Sequence, residues 1–307
     1  MAIGHYIKEI GRGREGARAL SRSQAADMFG QVLDGQLSDL EVGAFCIAMR
    51  IKGETPDEMC GFLDATQQRL TPIQIRPTDH GNATIVIPSY NGARKLPVLT
   101  PLLALLLARK GLSVLMHGSA TEDRRVTASD VLKALGVSAQ SGSAPLESGQ
   151  VSFYPTGLLS PGLERLLNVR RMLNLRNPAH SLVKLLNPCS GPQVLVTSYT
   201  HPEYAESMAQ VLCRMQCTAL LVRGTEGEAV ADPRRTPKMR RIVRGVLDTE
   251  IEHQAGALTS LPDLPANDIQ STARYIQSVL DGNAPLPQSI ALQVEQIAQL
   301  AEIAGMA

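Results

Sequence analysis

The chain has 307 residues, 44% hydrophobic and 19% charged, a globular composition that excludes wholesale disorder. Aromatic residues are 3% with no Trp, which argues against a protein that works mainly by stacking bases, and the formal charge of +1 excludes bulk polybasic character. The longest apolar run, Pro101–Ala108, is too short to span a bilayer, and the N-terminal stretch lacks the apolar core of a signal peptide, so no membrane partner is expected. Cys46, Cys60, Cys189, Cys213 and Cys217 form no metal spacing, and an odd, scattered set reads as reduced thiols in a cytoplasmic protein.

The first 70 residues read as helices with explicit boundaries. Ile3, Ile7 and Ile10 mark one face of a short first helix. Ser23 is the expected cap of a helix running to Asp34. Ser38 and Glu41 form a capping box for a helix ending at Gly53, and Thr55-Pro56-Asp57-Glu58 is a second box with Pro at the first helical position. Thr71–Asn82, with Pro72, Pro77 and Gly81, reads as a linker.

From Thr84 onward short β-branched runs alternate with helical segments. Strands are expected at 84–87, 113–116, 151–154, 194–198 and 219–222. Helices are expected at 98–110, 128–135 and 203–215, with two more near 267–281 and 288–304. The stretch 234–244, bracketed at its start by Pro233 and Pro237, reads as a flexible loop. Strands alternating with helices imply parallel βαβ units with helices on both faces of the sheet. The expected fold class is therefore α/β: a small N-terminal all-helical domain over 1–70, then a larger α/β domain over 80–307 with a mostly parallel central sheet. Ligands of such sheets sit at the carboxyl ends of the strands, which directs attention to the loops 88–97, 117–126, 155–161, 198–203 and 224–233.

The sequence VLKALGV (131–137) after Asp130, the His117-Gly118 turn, and NVRRMLNLR (168–176) followed by LLNP (185–188) resemble anthranilate phosphoribosyltransferase, of the nucleoside-phosphorylase-like phosphoribosyltransferase class. The resemblance covers nearly the whole chain. It implies that helices from about 160–186 join the helical domain and that this domain dimerises.

The family's catalytic motifs are altered. Its first loop, G-T-G-G-D-G, cradles pyrophosphate on backbone amides, which glycine lets approach. Here the stretch is Pro88-Ser89-Tyr90-Asn91-Gly92, and of the following N-I-S-T only Thr100 persists. The family's K-H-G-N becomes Met116-His117-Gly118-Ser119. Its serine-rich loop becomes Asp123-Arg124-Arg125-Val126-Thr127-Ala128, where Arg124 and Arg125 remain as phosphate-binding cations. The acidic D-G-x-D-E that holds magnesium becomes Glu226-Gly227-Glu228-Ala229-Val230, leaving Glu226 and Glu228 as weak metal candidates. Ser89, Asn91, Gly92, Thr100 and His117 thus mark a degenerate catalytic loop, with no cofactor expected. His117 reads as a structural remnant, neither His180 nor His201 as a metal ligand, and His201 and Glu203 as caps of the helix that follows.

Charge is segregated. Residues 245–307 carry eight acids and one base, a net of −7, so residues 1–244 carry +8. Arg234, Arg235, Lys238, Arg240, Arg241 and Arg244 form one acid-free run; Arg165, Arg170, Arg171, Arg176 and Lys184 form another. Lys8–Arg22 is a third basic stretch, and Arg94 and Lys95 sit beside the former phosphate loop. Each run is either a solvated face or a polyanion site. The resemblance extends to catalytically degenerate bacterial paralogues of the YbiB type through IPSYNGARK (87–95), HPEY (201–204) and GTEGE (224–228). It implies a homodimer that binds DNA or RNA with little sequence preference; the charge pattern offers the three basic stretches, with Arg94 and Lys95, as candidate phosphate contacts. Two alternatives stay open. One is an active phosphoribosyltransferase using phosphoribosyl pyrophosphate and magnesium with an altered acceptor, in which Arg170, Arg171 and Arg176 bind the acid. The other is a protein-interaction scaffold.

Overall fold

The computed structural model describes residues 3–75, 83–120, 124–142, 145–257 and 262–306. In chain order the helices α1 (Gly4–Ile10), α2 (Gly13–Gly16), α3 (Arg22–Leu33), α4 (Asp39–Lys52) and α5 (Pro56–Gln67) precede the first strand. Then come β1 (Thr84–Pro88), α6 (Thr100–Arg109), β2 (Val114–Gly118), α7 (Ala128–Ala134) and β3 (Val151–Pro155). A helical stretch follows: α8 (Thr156–Leu159), α9 (Pro161–Leu173), α10 (Ala179–Leu182) and a 3-10 turn at Val183–Leu185. The chain continues through β4 (Gln193–Tyr199), α11 (Pro202–Arg214), β5 (Ala219–Arg223), β6 (Met239–Val243), β7 (Val246–Ile251), α12 (Ile269–Leu280) and α13 (Gln288–Gly305).

Two compact units result. The first comprises Met1–Thr71 and Thr156–Pro188, and the second Pro72–Pro155 and Cys189–Ala307. The small unit is all-helical. Its helices start where side chains satisfy the exposed amides. Ser38 with Glu41 and Thr55 with Glu58 form the two expected capping boxes. The cap of α3 is Ser21, not Ser23. Ser21 accepts from the Gln24 amide while Gln24 accepts in return from the Ser21 amide at 3.0 Å, and Ser23 has Ala26 three residues on, which cannot reciprocate. Glu58 does more than cap. Fully buried, it accepts from the amide of Leu20 at 2.9 Å and from Lys52 Nζ at 2.6 Å, tying the chain before α3 to α5. Phe29, Phe45 and Phe62 meet at the core with centroids 4.6 to 6.2 Å apart. Helix α9 packs on α3, and Arg165 from α9 donates to the last carbonyl of α3, Leu33, at 2.8 Å. A basic side chain at a helix C-terminus satisfies an orphan carbonyl and complements the dipole.

The larger unit is built on a seven-stranded sheet in the order β3-β2-β1-β4-β5-β6-β7. The first five strands of that order are parallel, and β6 and β7 are antiparallel additions. Strands β1 and β2 are buried throughout, as parallel strands covered on both faces must be. Ile85, Ile87, Val114, Met116, Val194, Val196, Leu220 and Val222 face one core with α6, α7, α12 and α13, while α11 packs against β4, β5 and β6 and contributes nothing to that cluster.

Within the expected loop at 234–244, residues Met239–Val243 are instead strand β6. It joins β7 through the two residues Arg244 and Gly245, both with positive φ (48° and 79°). That is the backbone of a type I′ hairpin turn, whose twist matches paired strands. His201 occupies the cap position of α11, yet its side chain makes no capping bond; Pro202 begins the helix and Glu203 lies in its first turn. Part of the expected linker lies outside the described residues, and its described part bridges Ile73 to Cys189 and Ile75 to Leu146.

Candidate functional site

The strand order reverses between β1 and β4, so the loops that leave these strands diverge at the carboxyl edge of the sheet. Such a switch point is where ligands of open α/β sheets bind. The loop after β1 presents its backbone amides there. Gly92 has φ +64°, and a Cβ on it would stand 2.8 Å from the Val126 carbonyl, so this turn needs glycine. The amide of Ala93 donates to that same Val126 carbonyl at 2.8 Å, fixing the loop's centre.

The amides on either side of Ala93 go to two carboxylates from the loop after β5. Glu228 Oε1 accepts from the amides of Asn91 at 3.0 Å and Gly92 at 2.8 Å. Its Oε2 accepts from Thr100 Oγ1 at 2.9 Å and from Ser89 Oγ. Glu226 Oε2 accepts from the amides of Arg94 at 2.9 Å, Lys95 at 3.1 Å and Leu96 at 3.3 Å. Along 91–96, then, five amides donate to two glutamates and the sixth to a carbonyl. A concavity of successive amides is an anion site, and this one holds the chain's own anions.

The turn that carries the glutamates is pinned from several sides. Glu226 has φ +53° and Gly227 φ +92°. Asn91 Nδ2 donates to the Glu226 carbonyl, Ser198 Oγ to the Gly227 carbonyl at 2.9 Å, and Gln293 of α13 both donates to the Ala229 carbonyl and accepts from the Ala231 amide. Ala229, Val230 and Ala231 belong to the hydrophobic core.

These contacts decide how the candidate loop residues are used. Ser89, Asn91, Gly92 and Thr100 converge on Glu228. His117 is fully buried within β2, in register with Pro88 and Tyr154. The residues do not fit magnesium: Glu226 and Glu228 are surrounded by hydrogen-bond donors, and the apolar core side chains of Ala229 and Val230 stand where further acids would be needed. Among the described residues no group of three or more His, Cys, Asp or Glu side chains could hold a metal ion. The buried thiols are equally quiet. Burial pushes Cys46 up to about 11 and Cys189 up to about 12, keeping both protonated at neutral pH.

The cations separate into three situations. Arg94, Lys95, Arg124, Arg234 and Arg235 are exposed in loops at the carboxyl edge of the sheet. Arg125, half-buried there, donates to the Gly92 carbonyl. Arg234 makes a 2.7 Å ion pair with Asp232. Burial raises the Asp232 carboxyl, but Arg234 outweighs it and leaves the group below its ordinary value. In the hairpin, Lys238 meets Glu250 at 2.9 Å and Glu252 at 3.2 Å, Arg240 pairs with Glu206 and Glu250, and Arg241 lies 3.2 Å from Asp248. Arg241 also donates to Gln296 and Gln299 of α13, and Arg244 reaches the Ile303 carbonyl. In the helical unit, Arg171 is exposed near the end of α9, and Arg170, Arg176 and Lys184 are half-buried. The sequence reading missed the acids of β7 as partners of β6. The available signal was the alternation of MRRIV and VLDTEI about an Arg-Gly pair.

Residues 5–70 match the glycosyl transferase family helical bundle domain, and residues 94–304 match the glycosyl transferase family a/b domain. The uncharacterized protein YbiB of Escherichia coli (strain K12) is 40% identical over 294 residues, covering 94% of this chain and 91% of its own. The anthranilate phosphoribosyltransferase of Idiomarina loihiensis is 27% identical, over 92% of this chain and 85% of its own. In structure, anthranilate phosphoribosyltransferase from Thermus thermophilus superposes with a TM-score of 0.73 at 22% identity, over 97% of this chain and 91% of that one. The Saccharomyces cerevisiae enzyme in complex with PRPP and Mg gives 0.67 at 14%, over 98% and 93%. Among the described residues no helix is long and apolar enough to cross a membrane. With both domains matched in order and a relative at 40% identity along nearly its full length, this chain belongs to the glycosyl transferase family typified by anthranilate phosphoribosyltransferase.

Proposed function

We propose that this protein binds DNA or RNA without sequence preference on a scaffold whose phosphoribosyl chemistry has lapsed. The observation that carries this reading is the direction of charge in the loops after β1, β2 and β5. Every described carboxylate of those loops is engaged within them: Glu226 and Glu228 on backbone amides, Asp232 on Arg234. Arg94, Lys95, Arg124 and Arg235 of the same loops are exposed. Loops whose described carboxylates turn inward and whose cations are exposed suit a phosphate backbone, whose contacts position a protein without reading sequence. In the helical unit Arg170, Arg171, Arg176 and Lys184 supply further contacts. Lys238, Arg240 and Arg241 contribute little, since acids of β7 and α11 already neutralise them. Glu228 fills the cradle where a transferase would hold pyrophosphate, and Glu226 and Glu228 are committed to donors that leave them no place for magnesium.

The reading includes a homodimer through the helical unit. Helix α4 exposes Leu40 (83%), Ile47 (38%) and Ile51 (56%), with Ala44 completing a 4-3-4 spacing that places all four on one stripe. Pairing two such units doubles the basic surface.

The test is a fluorescence titration of a single-stranded DNA oligonucleotide at about 50 and 200 mM salt. Single strands lose affinity with a slope of about 0.7 per phosphate contact, so six contacts give a loss of about 300-fold over that interval. No binding at the lower salt refutes the reading. Magnesium-dependent binding of phosphoribosyl pyrophosphate, by calorimetry, would instead establish a transferase.

A further inference from the structure

The cradle after β1 is a complete anion site whose occupant is part of the same chain. Glu228 is 1% exposed, and its described partners are four neutral donors: two backbone amides and two hydroxyls. A buried carboxylate is tolerated only where such bonds replace its hydration. Both oxygens are used, each by two donors, which is also how a cradle grips two oxygens of a phosphate.

We infer that Glu228 is an intramolecular ligand, and that its carboxylate alone keeps inorganic phosphate or pyrophosphate out of an otherwise intact cradle. Two features argue that the cradle outlives its occupant. The donor loop is fixed independently, through the Ala93–Val126 pairing and the left-handed turn at Gly92. The loop that delivers Glu228 is held without it, by Glu226 on three amides and by Ser198 and Gln293 on its carbonyls. Removing one carboxylate therefore leaves four donors facing a small cavity, where an outside anion gains the bonds that the glutamate gives up. The inference goes beyond the nucleic-acid reading and does not depend on it, because it concerns a buried cradle and not the exposed arginines.

The experiment is thermal unfolding of the full-length Glu228→Ala variant in chloride buffer of constant ionic strength, titrated with inorganic phosphate, pyrophosphate or acetate to about 20 mM. The variant is expected to melt below wild type and to recover with pyrophosphate, binding it at least about tenfold more tightly than wild type in calorimetry. Wild type carries the same surface arginines, so its indifference assigns the gain to the cradle. A folded variant that ignores all three anions overturns the inference. Should Glu228→Ala fail to fold, Glu228→Ser still empties the cradle of both carboxylate oxygens and leaves only a small hydroxyl. Hydrogen exchange at the Asn91 and Gly92 amides is then expected to quicken and to slow again with phosphate. Protection equal to wild type in that variant overturns the inference as well.

Discussion

Two regions of the larger unit concentrate charge, and they dispose of it in opposite ways. At the carboxyl edge of the sheet, Glu226 and Glu228 turn onto backbone amides and Arg94 and Lys95 are left exposed. In the β6–β7 hairpin, opposite charges meet across a ladder: Arg240 stands in register with Glu250 and pairs with it, and Lys238 and Arg241 find their own acids. The hairpin holds the denser basic run in sequence and offers the weaker field. The edge holds more cations, spread over three loops, and Glu226 and Glu228 beside them are spent on backbone amides. What decides the field at a surface is where the counter-charges are spent, and a count along the chain cannot supply that.

The sharpest way to break this comparison is to remove the buried anion. Glu228→Ala is expected to cost about 3 kcal/mol in phosphate-free denaturant titrations, since four buried donors lose their acceptor. A loss below about 1 kcal/mol would mean that water or a neighbouring group satisfies the cradle. A smaller effect comes from stripping the hairpin of its acids. Asp248→Asn, Glu250→Gln and Glu252→Gln together should change stability by about 1 kcal/mol per partly buried pair. The same change should raise affinity for single-stranded DNA about tenfold at about 50 mM salt and steepen its salt dependence. An unchanged salt slope would show that the hairpin faces away from any nucleic acid. Next in size, Arg94→Ala with Lys95→Ala should flatten that slope by about 1.4, at about 0.7 per lost phosphate contact. The backbone amides of both positions would still bind Glu226, so the far-ultraviolet spectrum should not move.

The smallest expected effect is on pH. Lys238, above all, and then Arg240 hold the Glu250 carboxyl below its ordinary value of 4.5, against a modest burial penalty. A carboxylate depressed in the folded state stabilises above its unfolded pKa, and that stabilisation is lost as pH falls through the folded value. Amide protection in β6 and β7, corrected for the intrinsic exchange rate, should therefore fall below about pH 4.5, ahead of β1 and β4. Parallel loss in all four strands would show that the hairpin has no separate electrostatic contribution.

Much of this architecture was legible in the sequence because it rests on local rules. Ser38, Glu41, Thr55 and Glu58 announced their helices through a spacing that serves the first-turn amides, and the apolar runs at 84–87 and 194–198 announced strands covered on both faces. Hairpin β6–β7 was hidden because its outward residues are charged on both strands, so it reads as a basic run followed by an acidic one. Pairing is a property of register, and register is set by an Arg-Gly turn that lacks the usual Asn or Asp. At the candidate site, the departures of 88–92 and 226–230 from the phosphoribosyltransferase pattern were visible one by one. That the second departure fills the first was not, because residues 91 and 228 meet only in the folded chain.

The filled cradle also bears on what the protein senses. A loop ordered by a diffusing metabolite is stabilised in proportion to the logarithm of that metabolite's concentration, so its rigidity reports on the state of the cell. Here the ordering group is tethered and always at saturating local concentration. The loop that positions Arg94 and Lys95 is thus set to the same shape in scarcity and in plenty, and the switch point of the sheet is held constant by the chain itself.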